Sequence, residues 1–194
     1  INENKLRSKI IRNLLLNSDL VSQKVHGSRE KEITHNLEGF KFESGYNSSI
    51  IDSIQIRMRG ANAHGNISVG IYRDNEGVPS EQLGISELKM AGSLSEHLTW
   101  ESFRFEKPIS ILPSTKYWCI VDVSSVNSGK IYFQISGAEA IGLYAYYDSG
   151  SWHTEDNKTV LHIIRGSKES QRIGHDIIRF YKEAQERIRI VAAG

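Results

Sequence analysis

Residues 98–123, LTWESFRFEKPISILPSTKYWCIVDV, constrain the fold more than any other stretch of the chain. Leu98, Trp100, Phe103 and Phe105 are apolar at nearly every second position, with Glu101, Arg104 and Glu106 between them. Successive side chains of a strand point to opposite faces, so this pattern predicts a strand with one wet face. Tyr117, Trp118, Cys119, Ile120, Val121 and Val123 run almost unbroken, the pattern of a strand covered on both faces. Pro108 and Pro113 fall in the loop expected between the two. An outer and a central strand of one antiparallel β-domain are expected here.

The same two-residue beat recurs on both sides. Phe40 and Phe42, then Ile54, Ile56 and Met58, then Ile67, Val69 and Ile71 each mark a strand. Further on, Ile131, Phe133 and Ile135, then residues 141–147 (IGLYAYY), then 160–165 (VLHIIR) mark three more, and a weakly patterned strand is expected at 83–90. Turn-forming residues at 45–49, 60–66, 74–81, 127–129 and 148–158 separate them. No helical pattern of useful length interrupts the series, and parallel pairing needs long crossovers. The expected fold is mainly β: an antiparallel, jelly-roll-like β-sandwich over residues 35–166.

The two ends read differently. Residues 1–34 are expected to form an N-terminal amphipathic helical segment. Leu6, Ile10, Leu14 and Val21 share one face over residues 3–25, with Lys5, Arg7, Lys9 and Arg12 mostly elsewhere. Polar residues 26–36 form the expected boundary. Residues 167–194 are expected to form a C-terminal amphipathic helix, with Ile173, Ile177, Tyr181, Ala184 and Ile188 recurring every three to four residues. Apolar helical faces beside a sandwich must be covered, so packing on each other or self-association is expected.

Lys and Arg total 24 against 23 Asp and Glu, a net charge of +1. That balance argues against a nucleic-acid surface, which needs clustered excess cations. No apolar run approaches the roughly 18 residues of a membrane span. The lone cysteine, Cys119, excludes an internal disulfide and sits where a small buried hydrophobe is expected. The chain opens INENKLRSK, without Met, as a processed product or an excised piece of a longer protein would.

Ile71-Tyr72, then Asp74, Gly77 and Pro79, then Trp100, Phe103 and Phe105, then Pro108 and Ile109, and finally Tyr117-Trp118 occur in that order. This series resembles the choice-of-anchor kind of jelly-roll β-sandwich module found in prokaryotic surface proteins, secreted proteins and phage tail proteins. Ser114 stands where those modules usually carry Gly. The resemblance covers roughly residues 37–166 and leaves both ends outside it. It implies a β-sandwich, an accessory or structural role, and an extracellular, cell-surface or virion location.

The sequence carries no catalytic signature. His26, His35, His64, His97, His153, His162 and His175 form no H-x-H or H-x-x-x-H pair, and Cys119 lacks a nucleophile motif. No G-x-S-x-G, P-loop or G-x-G-x-x-G occurs. Asp74, Asn75 and Glu76 supply oxygen donors in a tight loop, which suits a structural Ca2+ or simply a turn. Asp148, Glu155, Asp156 and Asn157 form a second oxygen-rich group. Tyr144 and Tyr146 alternate onto one strand face, with Trp152 and His153 in the adjoining loop. Exposed, these four would stack on sugar rings beside hydrogen-bonding carboxylates. Buried, the tyrosines are the second face of a core strand and Trp152 plugs a sandwich end.

The expected function is a non-catalytic binding or structural module of a surface, secreted or virion assembly, with the terminal helices mediating assembly. The alternatives are a carbohydrate-binding module of a larger glycan-active protein, and a jelly-roll hydrolase. The last requires two carboxylates facing each other at roughly 5–9.5 Å. Glu101 and Glu106 share a strand but have no evident matched partners.

Overall fold

The computed structural model describes residues 18–23, 29–136 and 142–168. The described chain is mainly β, and its strands pair antiparallel. In order they are β1 (Ser18–Gln23), β2 (Arg29–Glu32), β3 (Leu37–Glu43), β4 (Ser49–Asn75), β5 (Val78–Ile85), β6 (Lys89–Met90) and β7 (Thr99–Ile111). β8 (Lys116–Ile135), β9 (Leu143–Asp148), β10 (Ser151–Asp156) and β11 (His162–Lys168) follow. They form one curled sheet, ordered β1-β11-β4-β8-β3-β9-β10, with β2 on β8 and with β5, β6 and β7 on β4.

β4, 27 residues long, is the spine. Its first part lies between β7 and β11, and its last part lies between β5 and β8. Ile54, Ile56 and Met58 are all fully buried, as their alternation predicts. Residues 60–66 and 127–129, expected to reverse the chain, do not. β4 and β8 run straight through them, and the two turn-rich stretches oppose each other in one ladder. The register slips between Ala61 and His64 and again at Gly65. Asn62 (φ 51°), Gly65 (φ 106°) and Gly129 (φ 76°) hold left-handed backbone there. The positive-φ residues thus make bulges, which bend and twist a continuous pair of strands. Gly129 is also sterically required, because a Cβ there would lie 2.0 Å from the Asn62 carbonyl oxygen.

Further corrections concern the strand ends. Ser18–Gln23, inside the span expected to be helical, is β1 and pairs with β11. Arg29–Glu32, in the expected polar boundary, is β2 and pairs with β8. Ser167 and Lys168, expected to begin the C-terminal helix, are the end of β11 and pair with β4. Apart from residues 33–34, which follow β2, the rest of the two expected helices lies outside the described residues. The expected loops 74–81 and 148–158 each shrink to a two-residue turn followed by a strand. Glu76 (φ 51°) with Gly77 (φ 93°), and Ser149 (φ 50°) with Gly150 (φ 87°), supply the paired positive φ of a tight hairpin turn. β7 extends through Pro108 to Ile111, and Ser114 takes φ 45°, so serine fills the glycine-type position of the following turn.

Curling brings β3 over β11, strands that are not neighbours in the sheet. Phe40 stacks on His162 with ring centroids 4.1 Å apart. Ile51, Ile54, Phe103, Phe133, Tyr117 and Cys119 fill the enclosed core. A second, smaller cluster lies on the opposite face: Trp118, Ile120 and Ala145, flanked by Leu37, Tyr72, Leu143 and Trp152. Trp118 is fully buried there. Trp100 is only partly buried, with the Arg57 guanidinium 5.8 Å from its ring centroid.

Candidate functional site

The β9–β10 hairpin carries the four predicted ligand residues, and the pleat divides them. Tyr146 pairs with His153 and Tyr147 with Trp152, so each pair shares a face. Tyr144 is fully buried and packs in the main core. Tyr146 lies at the edge of that core, stacked between His35 (4.3 Å) and His153 (5.2 Å). Trp152 turns to the opposite face, where it meets Tyr147 edge-on at 5.2 Å. The four residues therefore form no single patch.

The hydroxyl of Tyr144 donates to Oε2 of Glu38, a carboxylate with no exposed surface. Lys31 Nζ donates to the same oxygen at 2.8 Å. The backbone N–H groups of Thr34 and His35 donate to Oε1, each at 2.8 Å, and His35 Nδ1 lies 2.9 Å from it. A buried charge is tolerable only when paired and hydrogen-bonded, and Glu38 has both. One carboxylate thereby fixes the connection between β2 and β3 and ties it to β9.

Above this hub, on the outer face, lies an open groove of about 550 Å3. Thr34 to Leu37 form one wall, the tip of the β9–β10 hairpin forms the other, and Asp122 and Ser124 of β8 close the side. Asp122 is the cross-strand partner of Leu37, and Leu37 packs on the Trp118 cluster, so the groove opens on that same face. Asp122 Oδ1 accepts the backbone N–H of Ser124 at 2.8 Å. Tyr147 is 38% exposed at the rim. Among the described residues, no lysine or arginine lines the groove.

The other predicted positions are engaged elsewhere. Asp74 Oδ1 accepts the Trp118 indole N–H at 2.7 Å and holds Lys41 Nζ at 2.8 Å. Burial pushes the Asp74 carboxyl up, but hydrogen bonds from Lys41 and Trp118, the Lys41 charge and the Gly77 N–H outweigh it, leaving the group below its ordinary value. Asn75 and Glu76 are exposed at the hairpin turn. Among the described residues, no group of three or more His, Cys, Asp or Glu side chains is placed to hold a metal ion. Glu101 is held by Lys89 at 2.7 Å, while Glu106 is exposed. His64 and His97 are exposed; His26 and His175 lie outside the described residues. His162 is buried, donates Nδ1–H to the Val160 carbonyl at 2.8 Å, and leaves Nε2 without a partner among the described residues.

Tyr147, Asp122, Asn36 and His35 escape a sequence reading of the site. Each is locally ordinary, and strands distant in sequence bring them together. The one local signal was the D-S-G turn at 148–150, which fixes the hairpin tip. No family model matches the chain, and a search of curated proteins finds no match to it. Among the described residues, no helix is long and apolar enough to cross a membrane.

Proposed function

We propose that the chain is a non-catalytic β-sandwich recognition module of a surface, secreted or virion assembly. The observation that carries this reading is the outer face of β8, β3, β9 and β10. A sheet whose main core lies on one side has a second apolar cluster on the other, flanked by half-buried Leu37, Tyr72, Leu143 and Trp152 and ending in a polar groove. Concave sites with an apolar floor and a few polar groups are the usual form of a ligand-binding surface. The Trp-x-x-Phe-x-Phe and Tyr-Trp motifs shared with choice-of-anchor modules support the same reading. Residues 1–17 and 169–194, outside the described residues, repeat apolar side chains with helical spacing in the sequence, and self-association through them belongs to the proposal.

Co-sedimentation of the full chain with isolated bacterial cell envelopes and insoluble polysaccharides tests the reading, with soluble products assayed in parallel. The expected result is saturable retention without release of reducing ends. Absence of retention on every surface, or catalytic release of product, overturns it. Light scattering that shows a monomer at high concentration overturns the self-association.

A further inference from the structure

We propose that the groove between residues 34–37 and the β9–β10 turn binds a neutral sugar chain and discriminates against acidic ones. This inference rests on the recognition-module reading.

The site is built rather than incidental. Glu38 accepts the backbone N–H groups of Thr34 and His35 and the hydroxyl of Tyr144. Thr34 and His35 belong to one wall of the groove, and Tyr144 belongs to the strand that carries the other. Both walls are thus anchored on one buried carboxylate. A site held in shape before the ligand arrives loses less ordering entropy on binding.

The lining matches the chemistry of vicinal hydroxyls. Asp122 and Asp148 offer acceptors, and the hydroxyls of Ser124 and Ser149 and the amide of Asn36 both donate and accept. Tyr147 adds an exposed ring, braced edge-on by Trp152, of the kind that packs against the C–H face of a pyranose.

Charge sets the selectivity. Among the described residues, two carboxylates line the groove and no lysine or arginine does. A uronate, sialate or sulfate group entering this space meets like charge, which is a repulsive element of specificity.

Saturation-transfer NMR with lactose, cellotetraose, maltotetraose and mannotetraose, against sialyllactose and tetragalacturonate, tests the proposal on the full chain. Tetralysine is included because two carboxylates would equally attract a basic peptide. The expected result is millimolar or tighter binding of at least one neutral saccharide. Tyr147→Ala and Asp148→Ala, both exposed positions whose folding is checked by circular dichroism, should each weaken it about tenfold. Sialyllactose should bind no more tightly than lactose. The proposal is overturned if every neutral saccharide is silent, if binding survives both substitutions, if the acidic saccharides bind more tightly, or if tetralysine alone binds. Envelope retention that persists in both variants removes the groove and leaves the module standing. Loss of retention in the unsubstituted chain removes both.

Discussion

The indole N–H of Trp118 and the carboxylate of Asp74 meet at 2.7 Å, tying β8 to the end of β4. The same carboxylate oxygen holds Lys41 of β3, so three strands converge on one atom. Trp118→Phe keeps a ring in the outer cluster but removes the donor. A hydrogen bond to a charged group contributes about 1.5–3 kcal/mol, and urea unfolding should show a loss of that order. Asp74 sits below its ordinary carboxyl value in the folded chain. Its contribution is therefore present above that ordinary value and lost as pH falls through the folded one. The variant should lose less stability in acid than the parent. An unchanged urea midpoint would show that the bond is energetically idle.

His162 sets a second pH response, in a higher window. Burial drives its imidazole down from 6.5 to about 4, and the hydrogen bond to Val160 offsets only part of that. Between those two values the unfolded chain takes up a proton that the folded chain refuses, so stability falls as pH falls. At 1.36 kcal/mol per unit, the full effect approaches about 3 kcal/mol. His162→Phe removes the titration and keeps a ring against Phe40. Urea unfolding from pH 7 to pH 4 should show the parent losing about 3 kcal/mol relative to the variant. Parallel curves for the two would rule out a buried neutral imidazole.

Gly39 occupies β3 where it is paired with both β8 and β9. A Cβ there would lie 1.9 Å from the backbone carbonyl oxygen of Cys119. Backbone on both sides leaves little room to give, so Gly39→Ala should cost about 3 kcal/mol or more. Gly45→Ala is the control, since nothing lies within 4 Å of its Cβ. Comparable thermal midpoints for the two variants would contradict the packing described for β3.

Glu38→Gln keeps the size of the hub and removes its charge. Lys31 loses its ion pair, and the bonds to the Thr34 and His35 amides become neutral ones. Loss of about 1.4 kcal/mol at these amides corresponds to tenfold faster hydrogen exchange. The acceleration should be confined to residues 33–36 and the hairpin, with the β4 amides unchanged. Uniform acceleration along the chain would mean that Glu38 supports global stability and has no special hold on the groove.

Much of the sheet was legible because burial on one face leaves a two-residue signature. Ile54, Ile56 and Met58, and likewise Phe103 and Phe105, carry that signature and are buried as it predicts. What stayed hidden depends on partners distant in sequence. Ser18–Gln23 has no alternation of its own, and its strand comes from pairing with β11. The turn-rich residues 60–66 and 127–129 look locally like chain reversals; only their opposition across the ladder makes them bulges. The candidate site follows the same logic. Aromatic enrichment pointed to the β9–β10 hairpin, but the assignment of Tyr144 to the core depends on Glu38, 106 residues away.

The length of β4 has a consequence for how the molecule comes apart. Ser49–Asn75 supplies hydrogen-bonded partners at one end to β7 and β11 and at the other to β5 and β8. Neither portion keeps its scaffold if the chain is divided between them, so fragments split within this strand have no independent fold to adopt. A pull on β11 is borne by the same backbone that supports the far hairpin. New termini are tolerable at reversals such as residues 76–77, where opening the chain severs no rung of the ladder.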